Sequence, residues 1–376
     1  MSGVPERKAK YHLAGANCDC ASCLLEGDDL YVWYEKNCVA DRVLSHCFRK
    51  IDLNTFSGVE DVVYEGRNLS GFASTLVDCG EYICVSGGGG AVFRKADMSL
   101  VYVETEDYLS VNGWSAEAQS FFSDGLYYRA VNVLSEPHKG CDVVDVGTWE
   151  VLRRLKMDMN HVKLIGNGLC YGIRSSKRFA IFSLVDAAFV FELDLLAMGE
   201  MDPESFFARV DDSGEFIAVL CGDVLAVVDP EKKILVKKIM ISELSLLCAT
   251  AAAAGVDVLD LCMRGIRFHE GDVILSSSRC MISVAVDSGV CRWVKLYPAN
   301  VSISLACVYE DLVFGSKNNT PHAWDRYTGA EVWAAASALP CLSAQVSKGW
   351  VVYHQVGGHI SCFQWKKPYI SPHRPA

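Results

Sequence analysis

The stretch from His322 to Trp333, HAWDRYTGAEVW, has the pattern of a β-hairpin. Asp325 is of a residue type that opens tight turns, and Gly329 can adopt the positive φ that a one-residue bulge requires. Trp333 then begins a return strand. The stretch therefore predicts two antiparallel strands joined by a short turn.

The same arrangement recurs along the chain: strand-forming residues, a tight turn rich in Asp, Gly, Asn or Glu, and a strongly β-prone run. The second strands of these copies are predicted to begin at Leu30, Tyr82, Leu126, Leu169, Phe216, Val273, Leu312 and Trp350. Copies at a mean period of about 46 residues match the four short antiparallel strands of a propeller blade. We therefore expect an all-β fold, a single eight-bladed β-propeller domain over residues 1–376, with seven blades as the alternative.

Each copy continues with a third strand that ends near an aspartate and a turn that leads into a fourth strand. The third strands are predicted to end at Asp52, Asp97, Asp145, Asp186, Asp229, Asp287 and Asp325. Variants of the leading hairpin follow several of them: DVGTW (145–149), DPEKK (229–233) and DSGVCRW (287–293). We interpret the last of these as the leading motif shortened by two residues.

The eighth copy stops after its third strand, His359 to Trp365. An open blade edge invites aggregation, so we expect an N-terminal strand at Lys10 to Gly15 to complete this blade and close the ring. Residues 366–376 are basic and rich in proline, which predicts a disordered tail.

Two segments exceed the length of a blade connection. Ser242 to Asp260 contains an N-cap-like serine and good helix formers before Gly255, so we expect a short helix there, inserted between the fifth and sixth blades. The segment from Tyr108 to Phe121 is predicted to be a second insertion between blades.

The leading hairpin resembles the repeat of the quinoprotein-like (PQQ-like) β-propellers, Ala-x-Asp-x-x-Thr-Gly-x-x-x-Trp. The residues that match it are Ala323, Asp325, Thr328, Gly329 and Trp333. The resemblance implies a propeller and raises the hypothesis of a quinone-dependent dehydrogenase. The alcohol enzymes of that superfamily carry an adjacent Cys-Cys pair against the cofactor, with a calcium or lanthanide site, and this chain has no adjacent cysteines. We expect no cofactor and no catalytic residues.

Composition restricts the partners. The formal net charge of −11 makes nucleic acid and anionic membrane surfaces poor partners, because phosphate binding requires a basic surface. The 17 cysteines are mostly single and lie in apolar strand-like segments, as reduced, buried thiols do. The first fifteen residues lack the apolar stretch of a secretion signal. Together these features predict a cytoplasmic location.

Two motifs suggest ligand sites but fit them poorly. The cluster of Cys18, Cys20 and Cys23 has only one pair with zinc-ligand spacing, and alternate residues of a strand point to opposite faces. The run Gly87–Gly90 joins two predicted strands, whereas a phosphate loop opens a helix. We expect neither a metal site nor a phosphate-binding loop.

In a propeller, the loops that join second to third strands and those that join blades emerge on one face. The residues there with binding character are Tyr108, Trp114, Pro137, His138, Lys139, Asn318, Asn319 and His322. We predict a non-catalytic scaffold that binds a protein partner, a basic one given the acidic chain, as a toxin-neutralising immunity protein or a subunit of a larger assembly. The alternative is an enzyme, or a sugar- or small-molecule-binding protein, with its site in the axial funnel.

Overall fold

A computed structural model describes residues 6–12, 16–38, 43–58, 64–67, 75–86, 91–103, 120–132, 139–174, 176–199, 207–335, 339, 341–355, 358–365 and 369–374. Within these ranges the strands form eight four-stranded antiparallel sheets, each of which is one blade of a propeller. Seven of the sheets are built from four consecutive strands. The predicted fold class and the eight-blade count are confirmed.

The first four blades lie between residues 16 and 194. Blade 1 contains β2 (Ala16–Glu26), β3 (Asp29–Cys38), β4 (Val43–Asp52) and β5 (Tyr64–Arg67). Blade 2 contains β6 (Thr75–Cys79), β7 (Tyr82–Ser86), β8 (Ala91–Arg94) and β9 (Leu100–Val103). Blade 3 contains β10 (Phe121–Ser123), β11 (Leu126–Asn132), β12 (Lys139–Asp145) and β13 (Val151–Lys156). Blade 4 contains β14 (Met159–Gly166), β15 (Leu169–Arg174), β16 (Arg178–Ser183) and β17 (Ala188–Asp194).

The remaining blades complete the ring. Blade 5 contains β18 (Ala208–Asp212), β19 (Ile217–Cys221), β20 (Val224–Asp229) and β21 (Ile234–Met240). Blade 6 contains β22 (Gly265–His269), β23 (Asp272–Ser276), β24 (Cys280–Ala285) and β25 (Cys291–Leu296). Blade 7 contains β26 (Ile303–Tyr309), β27 (Leu312–Lys317), β28 (Thr320–Asp325) and β29 (Glu331–Ala334). Blade 8 contains β30 (Cys341–Ser347), β31 (Trp350–Gln355), β32 (His359–Gln364) and β1 (Glu6–His12).

The first strand of each blade is the innermost, and it contacts the first strands of neighbouring blades around the axis. The second and third strands are the most deeply buried, because blades pack on both of their faces. Aromatic residues fill several of these interfaces. Phe48 of blade 1 stacks on Phe93 of blade 2 with ring centroids 4.4 Å apart, and Trp333 of blade 7 meets Phe363 of blade 8 edge to face at 4.9 Å.

The N-terminal strand closes the ring by pairing with the last strand of the chain. β1 runs antiparallel to β32, with Glu6 opposite Gln364 and His12 opposite His359. The closing strand was predicted at Lys10–Gly15. It begins four residues earlier and shares only Lys10 to His12 with that range, whose residues 13–15 lie outside the described part of the chain.

One turn geometry joins the third strand to the fourth in seven blades. The fourth residue after the end of the third strand has a positive φ; these residues are Phe56, Met98, Trp149, Ala187, Lys233, Gly289 and Gly329. In five of the seven turns its N–H donates to the carbonyl of the last strand residue, for example from Gly329 to Asp325 at 2.8 Å. Glycine holds the position in only two blades, so the backbone geometry repeats more faithfully than the residue type.

The aspartate at the strand end fixes the turn where it is present. Asp325 Oδ1 accepts the N–H and the hydroxyl of Thr328, and Asp145 Oδ1 accepts the same two donors of Thr148. The predicted strand ends at Asp52, Asp145, Asp229 and Asp325 are confirmed. The predictions at Asp97, Asp186 and Asp287 are wrong: these residues lie inside the turn, and the strands end at Arg94, Ser183 and Ala285.

The interpretation of DSGVCRW as a shortened motif is also wrong. Ala285 stands at the position of Asp325, so that Gly289 matches Gly329 and Trp293 matches Trp333. The two motifs therefore have equal length, and blade 6 forms the turn without the carboxylate. Asp287 is the second residue after the end of the strand, and it is not the first residue of the turn as predicted.

The predicted helical insertion between blades 5 and 6 is confirmed. It contains a 3-10 helix (Ile241–Glu243), the α-helix Ser245–Ala253 and a second 3-10 helix (Val258–Leu261). Ser242 does not cap the helix: its hydroxyl and N–H bond to Asp223, and Leu244 precedes the helix without a side-chain cap. Gly255, with φ of 65°, follows the end of the helix.

One short helix, Leu195–Gly199, follows blade 4 and has no counterpart among the predicted elements. Asp194 accepts the N–H of Ala197 at 3.1 Å and so satisfies one amide of its first turn. The second predicted insertion, Tyr108 to Phe121, lies outside the described residues except for its end, where Phe121 begins β10. The run Gly87–Gly90 also lies outside them, between strands β7 and β8 as predicted.

Residues 369–374 belong to the segment that was predicted as a disordered tail. Here Tyr369 and Ser371 are buried against blade 7. The Tyr369 hydroxyl donates to Asp325 Oδ2 at 2.7 Å, and the Ser371 N–H donates to Asp311 Oδ2 at 2.9 Å. This part of the segment therefore packs against the leading hairpin and stabilises it. In the described part of the chain, none of the helices has the length and apolar character to cross a membrane.

The turn in the leading hairpin yields a stability prediction. A Cβ at Gly329, where φ is 65°, would lie 2.7 Å from the Trp293 ring of blade 6. Gly329→Ala should therefore lower the free energy of unfolding by about 2–4 kcal/mol in urea titration, from backbone strain plus overpacking. Gly125→Ala is the control: φ is 77° but nothing lies within 4 Å, so about 1 kcal/mol is expected. Equal losses would contradict the packing argument.

Ring closure yields a second prediction. Deleting residues 1–12 removes β1 and leaves β32 as an open edge, so we expect a loss of at least about 3 kcal/mol and a tendency to aggregate. Thermal unfolding by circular dichroism and size-exclusion chromatography measure both effects. Deleting residues 1–5 alone, which precede β1, should change neither. A deletion of residues 1–12 that unfolds like the intact protein would contradict the closure.

Candidate functional site

The upper face is defined here as the face that carries the loops joining second to third strands and the connections between blades. Asn318 and Asn319 belong to a loop on this face, and His322 lies in the strand that follows the loop. Tyr108, Trp114, Pro137 and His138 lie outside the described residues. Lys139 is the first residue of β12, but its side chain is not described. The structure therefore brings together only Asn318, Asn319 and His322 of the predicted set.

Asn318 and Asn319 form the tight turn between β27 and β28. Both have positive φ, 49° and 65°, which asparagine tolerates better than most residues. Asn318 exchanges hydrogen bonds with Ser302, its N–H to the Ser302 carbonyl and its side-chain oxygen from the Ser302 N–H, each at 2.8 Å. The side chain of Asn318 therefore holds the turn against the connection between blades 6 and 7.

His322 lies in β28 and is only 6 % exposed. Its ring stacks on Trp324 with centroids 5.6 Å apart, and its Nδ1 lies 3.3 Å from Glu331 Oε2. Burial lowers the pKa of His322, and the nearby Glu331 carboxylate opposes that shift. The residue is therefore a neutral, packed part of blade 7 at pH 7.

The axial channel carries a group of basic residues that sequence analysis did not single out. Arg209 lies in β18 of blade 5, Arg264 directly precedes β22 of blade 6, and Arg267 lies within β22. They line a cavity of about 390 Å³ at the upper end of the channel, together with Ser277, Ser278 and Ser304. Arg209 and Arg267 also line an adjoining cavity of about 500 Å³ that extends across blades 4 to 7.

Contacts with the backbone hold two of these guanidinium groups. Arg267 donates from Nε to the Ala306 carbonyl of blade 7 and from Nη1 to its own neighbour Ile266, both at 2.6 Å. Arg209 donates from Nη1 to Ala208 at 3.1 Å and lies over the Phe207 ring at 4.3 Å. Partial desolvation lowers the pKa of Arg209, although an arginine stays charged in proteins.

The adjoining cavity contains one ion pair. Lys163 of blade 4 bonds to Asp211 Oδ1 of blade 5, and Asp211 Oδ2 accepts the Phe268 N–H of blade 6 at 2.9 Å. Asp211 therefore neutralises Lys163 and links three blades. Among the described residues that line these two cavities, the three arginines therefore carry the positive charge that no carboxylate neutralises.

In ARVDD (208–212) and GIRFH (265–269), Arg209 and Arg267 alternate with buried apolar residues, so both lie on the less buried face of their strands. That signal was available in the sequence. Their convergence was not, because 58 residues separate them and only the ring places β18 beside β22.

The helical insertion forms an apolar surface on the upper face. Leu247 and Ala251 face the core between blades 5 and 6, whereas Leu246 is 41 % exposed and Leu259 is 71 % exposed. The α-helix is apolar on all sides, a composition that normally belongs to a fully buried helix. Here one side of it is open to solvent.

The described residues contain no group of three or more His, Cys, Asp or Glu side chains placed to hold a metal ion. The described cysteines are free thiols, and most of them are buried. Burial raises the pKa of Cys170 and of Cys280 to about 12, which suppresses the reactive thiolate. The side chains of Cys18 and Cys20 are outside the described set.

Comparison with solved structures finds propellers over nearly the whole chain. The structure is similar to BamB from Moraxella catarrhalis, with a TM-score of 0.64, 9% identity, and coverage of 98% of this chain and 100% of that one. It is similar to Saccharomyces cerevisiae Sqt1, with a TM-score of 0.63, 11% identity, and the same coverage. It is also similar to the C-terminal WD40 domain of Sif2, with a TM-score of 0.60, 7% identity, and coverage of 98% and 100%. At these identities the likeness establishes the propeller fold alone.

Searches against family models and against curated proteins found no match. The resemblance of the leading hairpin to the PQQ-like repeat therefore stays a resemblance of residues and of fold.

The buried histidine of blade 7 yields a pH prediction. Because burial lowers the pKa of His322, the folded state binds a proton less readily than the unfolded state, and stability falls as the pH drops below about 6.5. His322→Phe should therefore lose less stability than the wild type between about pH 7 and pH 5 in urea titrations. Burial also lowers the pKa of His269, so the His322→Phe variant should still lose some stability as the pH falls. His373→Phe, at an exposed position, is the control; an H322F slope equal to the wild-type slope would contradict the prediction.

Proposed function

We propose that the protein is a non-catalytic scaffold that binds another protein through the helical insertion of its upper face. The observation that carries this proposal is the exposed apolar side of the insertion. Leu246 is exposed on the α-helix Ser245–Ala253, which lacks a polar face, and Leu259 is exposed on the second 3-10 helix. Exposed contiguous apolar surface in a soluble chain marks an interaction site, and a propeller builds such sites from its connections.

Charge around the insertion points to the kind of partner. Residues 241–263 contain Glu243, Asp257 and Asp260 and no lysine or arginine, so the apolar surface has an acidic rim. The whole chain carries a formal net charge of −11. A partner with an apolar patch and a basic rim would complement this surface and would be steered toward it.

Two biological settings fit such a surface. An immunity protein that neutralises a basic toxin would need a rigid, acidic scaffold with an apolar anchor, and so would a subunit of a larger cytoplasmic assembly. The solved propellers similar to this chain support the ring as the scaffold and supply no partner.

A second candidate function is the binding of a small molecule in the axial channel. It is favoured by the three arginines that line one cavity there, because guanidinium groups bind phosphate and carboxylate ligands.

The scaffold proposal predicts the effect of two substitutions on partner capture. Leu246→Glu together with Leu259→Glu places charge at the centre of the apolar surface and should abolish capture of a stoichiometric basic partner by the tagged protein from its host. Mass spectrometry of the eluate identifies the partner, and metal analysis of the same sample tests for a bound ion. Leu152→Glu, at a leucine 57 % exposed on the outer strand of blade 3, should leave capture intact. Capture that survives the double substitution, or a clean wild-type monomer carrying a metal or small molecule, would overturn the proposal.

A further inference from the structure

We infer that the upper end of the axial channel binds a small ligand bearing phosphate or carboxylate groups, through Arg209, Arg264 and Arg267. This inference rests on the second candidate function, the binding of a small molecule in the axial channel, and names the chemistry of the ligand. The site is separate from the apolar surface of the insertion, so failure of the inference leaves the scaffold proposal standing.

The first argument is that the three channel arginines form no ion pair with any carboxylate among the described residues. Arginines elsewhere in the protein pair with carboxylates: Arg154 with Asp142 at 2.6 Å, Arg292 with Asp272 at 2.6 Å and Arg326 with Glu270 at 2.7 Å. Among the described residues, no carboxylate lies within ion-pair distance of the three channel arginines. The chain has 46 acidic residues against 35 basic ones, so a shortage of carboxylates does not explain this.

The second argument is electrostatic. Three like charges that line one cavity repel each other. Lys163 adds little, because Asp211 neutralises it. An anion bound between the arginines would remove the repulsion and gain charge-assisted hydrogen bonds at the same time.

The third argument is that the donors are held in place. The bonds of Arg267 to Ala306 and Ile266 occupy Nε and Nη1 and leave Nη2 without an acceptor among the described residues. The Phe207 ring and the Ala208 carbonyl fix Arg209. A guanidinium fixed in advance loses little entropy when it binds a ligand, and its planar donors match phosphate and carboxylate oxygens.

The cavity determines the size of the ligand. Its volume of about 390 Å³, with an adjoining 500 Å³, suits a small organic or inorganic anion. Ser278 and Ser304 line the same cavity, and serine hydroxyls are hydrogen-bond donors suited to further ligand oxygens. A ligand with two or more anionic groups, such as a diphosphate or a polycarboxylate, would engage all three arginines.

The test is isothermal titration calorimetry of the intact protein at low salt with inorganic pyrophosphate and with citrate, in separate arms. We expect saturable binding of one equivalent of at least one anion, weakened by added salt. A hexaglutamate peptide forms a third arm. Tighter binding of the peptide than of both small anions would overturn the assignment to a small ligand.

Substitutions locate the site. Arg267→Gln and Arg264→Gln should each weaken binding by at least tenfold. Arg153→Gln is the matched control: Arg153 is exposed on the outer strand of blade 3, and its Nη2 donates to the Leu184 carbonyl. Its binding should equal that of the wild type. Circular dichroism and thermal melts establish that each variant is folded.

A variant that should bind the anion more tightly tests whether weaker binding by the arginine variants results from loss of folding. Asp211→Asn removes the carboxylate that neutralises Lys163, so it should tighten binding of the same anion by several-fold. Absence of binding by the wild type at millimolar anion, or equal weakening by Arg153→Gln and Arg267→Gln, would overturn the inference.

Discussion

The pairing of β1 with β32 is the constraint on which the rest of the structure depends. Every blade exposes two apolar faces, and each face is buried only if a neighbouring blade covers it. In an open row of blades, the two terminal blades would keep one apolar face in water. The six registered residue pairs between β1 and β32 join the two ends of the chain and convert the row into a ring.

Within this ring, a single backbone turn is repeated with different residues. A left-handed residue follows the third strand in seven blades, and tryptophan, lysine and methionine occupy it as well as glycine. A left-handed L-residue costs about 1–2 kcal/mol, which the packed blade can tolerate. Glycine is required where a neighbour comes close, as at Gly329, on which Trp293 of the preceding blade packs.

The upper face carries two surfaces that differ in charge and polarity. The helical insertion is apolar with an acidic rim, and the channel beside it is lined by arginines. The chain itself connects them, because the insertion ends at Met263 and Arg264 leads directly into β22. In the described part of this acidic chain, the channel arginines form no ion pairs, and a binding event on either surface would occur close to the other.

The turns and strands could be predicted from the sequence because they depend on local chemistry: Asp, Gly and Asn turns, alternation along strands, and helix formers before Gly255. Strand ends were misjudged where an aspartate lay inside a turn, since Asp287 and Asp97 satisfy the same local rule as Asp325. The sequence by itself thus determined the propeller, its eight blades and its inserted helix. Only the tertiary structure decided that Arg209 and Arg267 share a cavity and that Tyr369 supports the leading hairpin. Both results require residues far apart in the chain to meet, and that proximity arises from ring closure, which no local pattern contains.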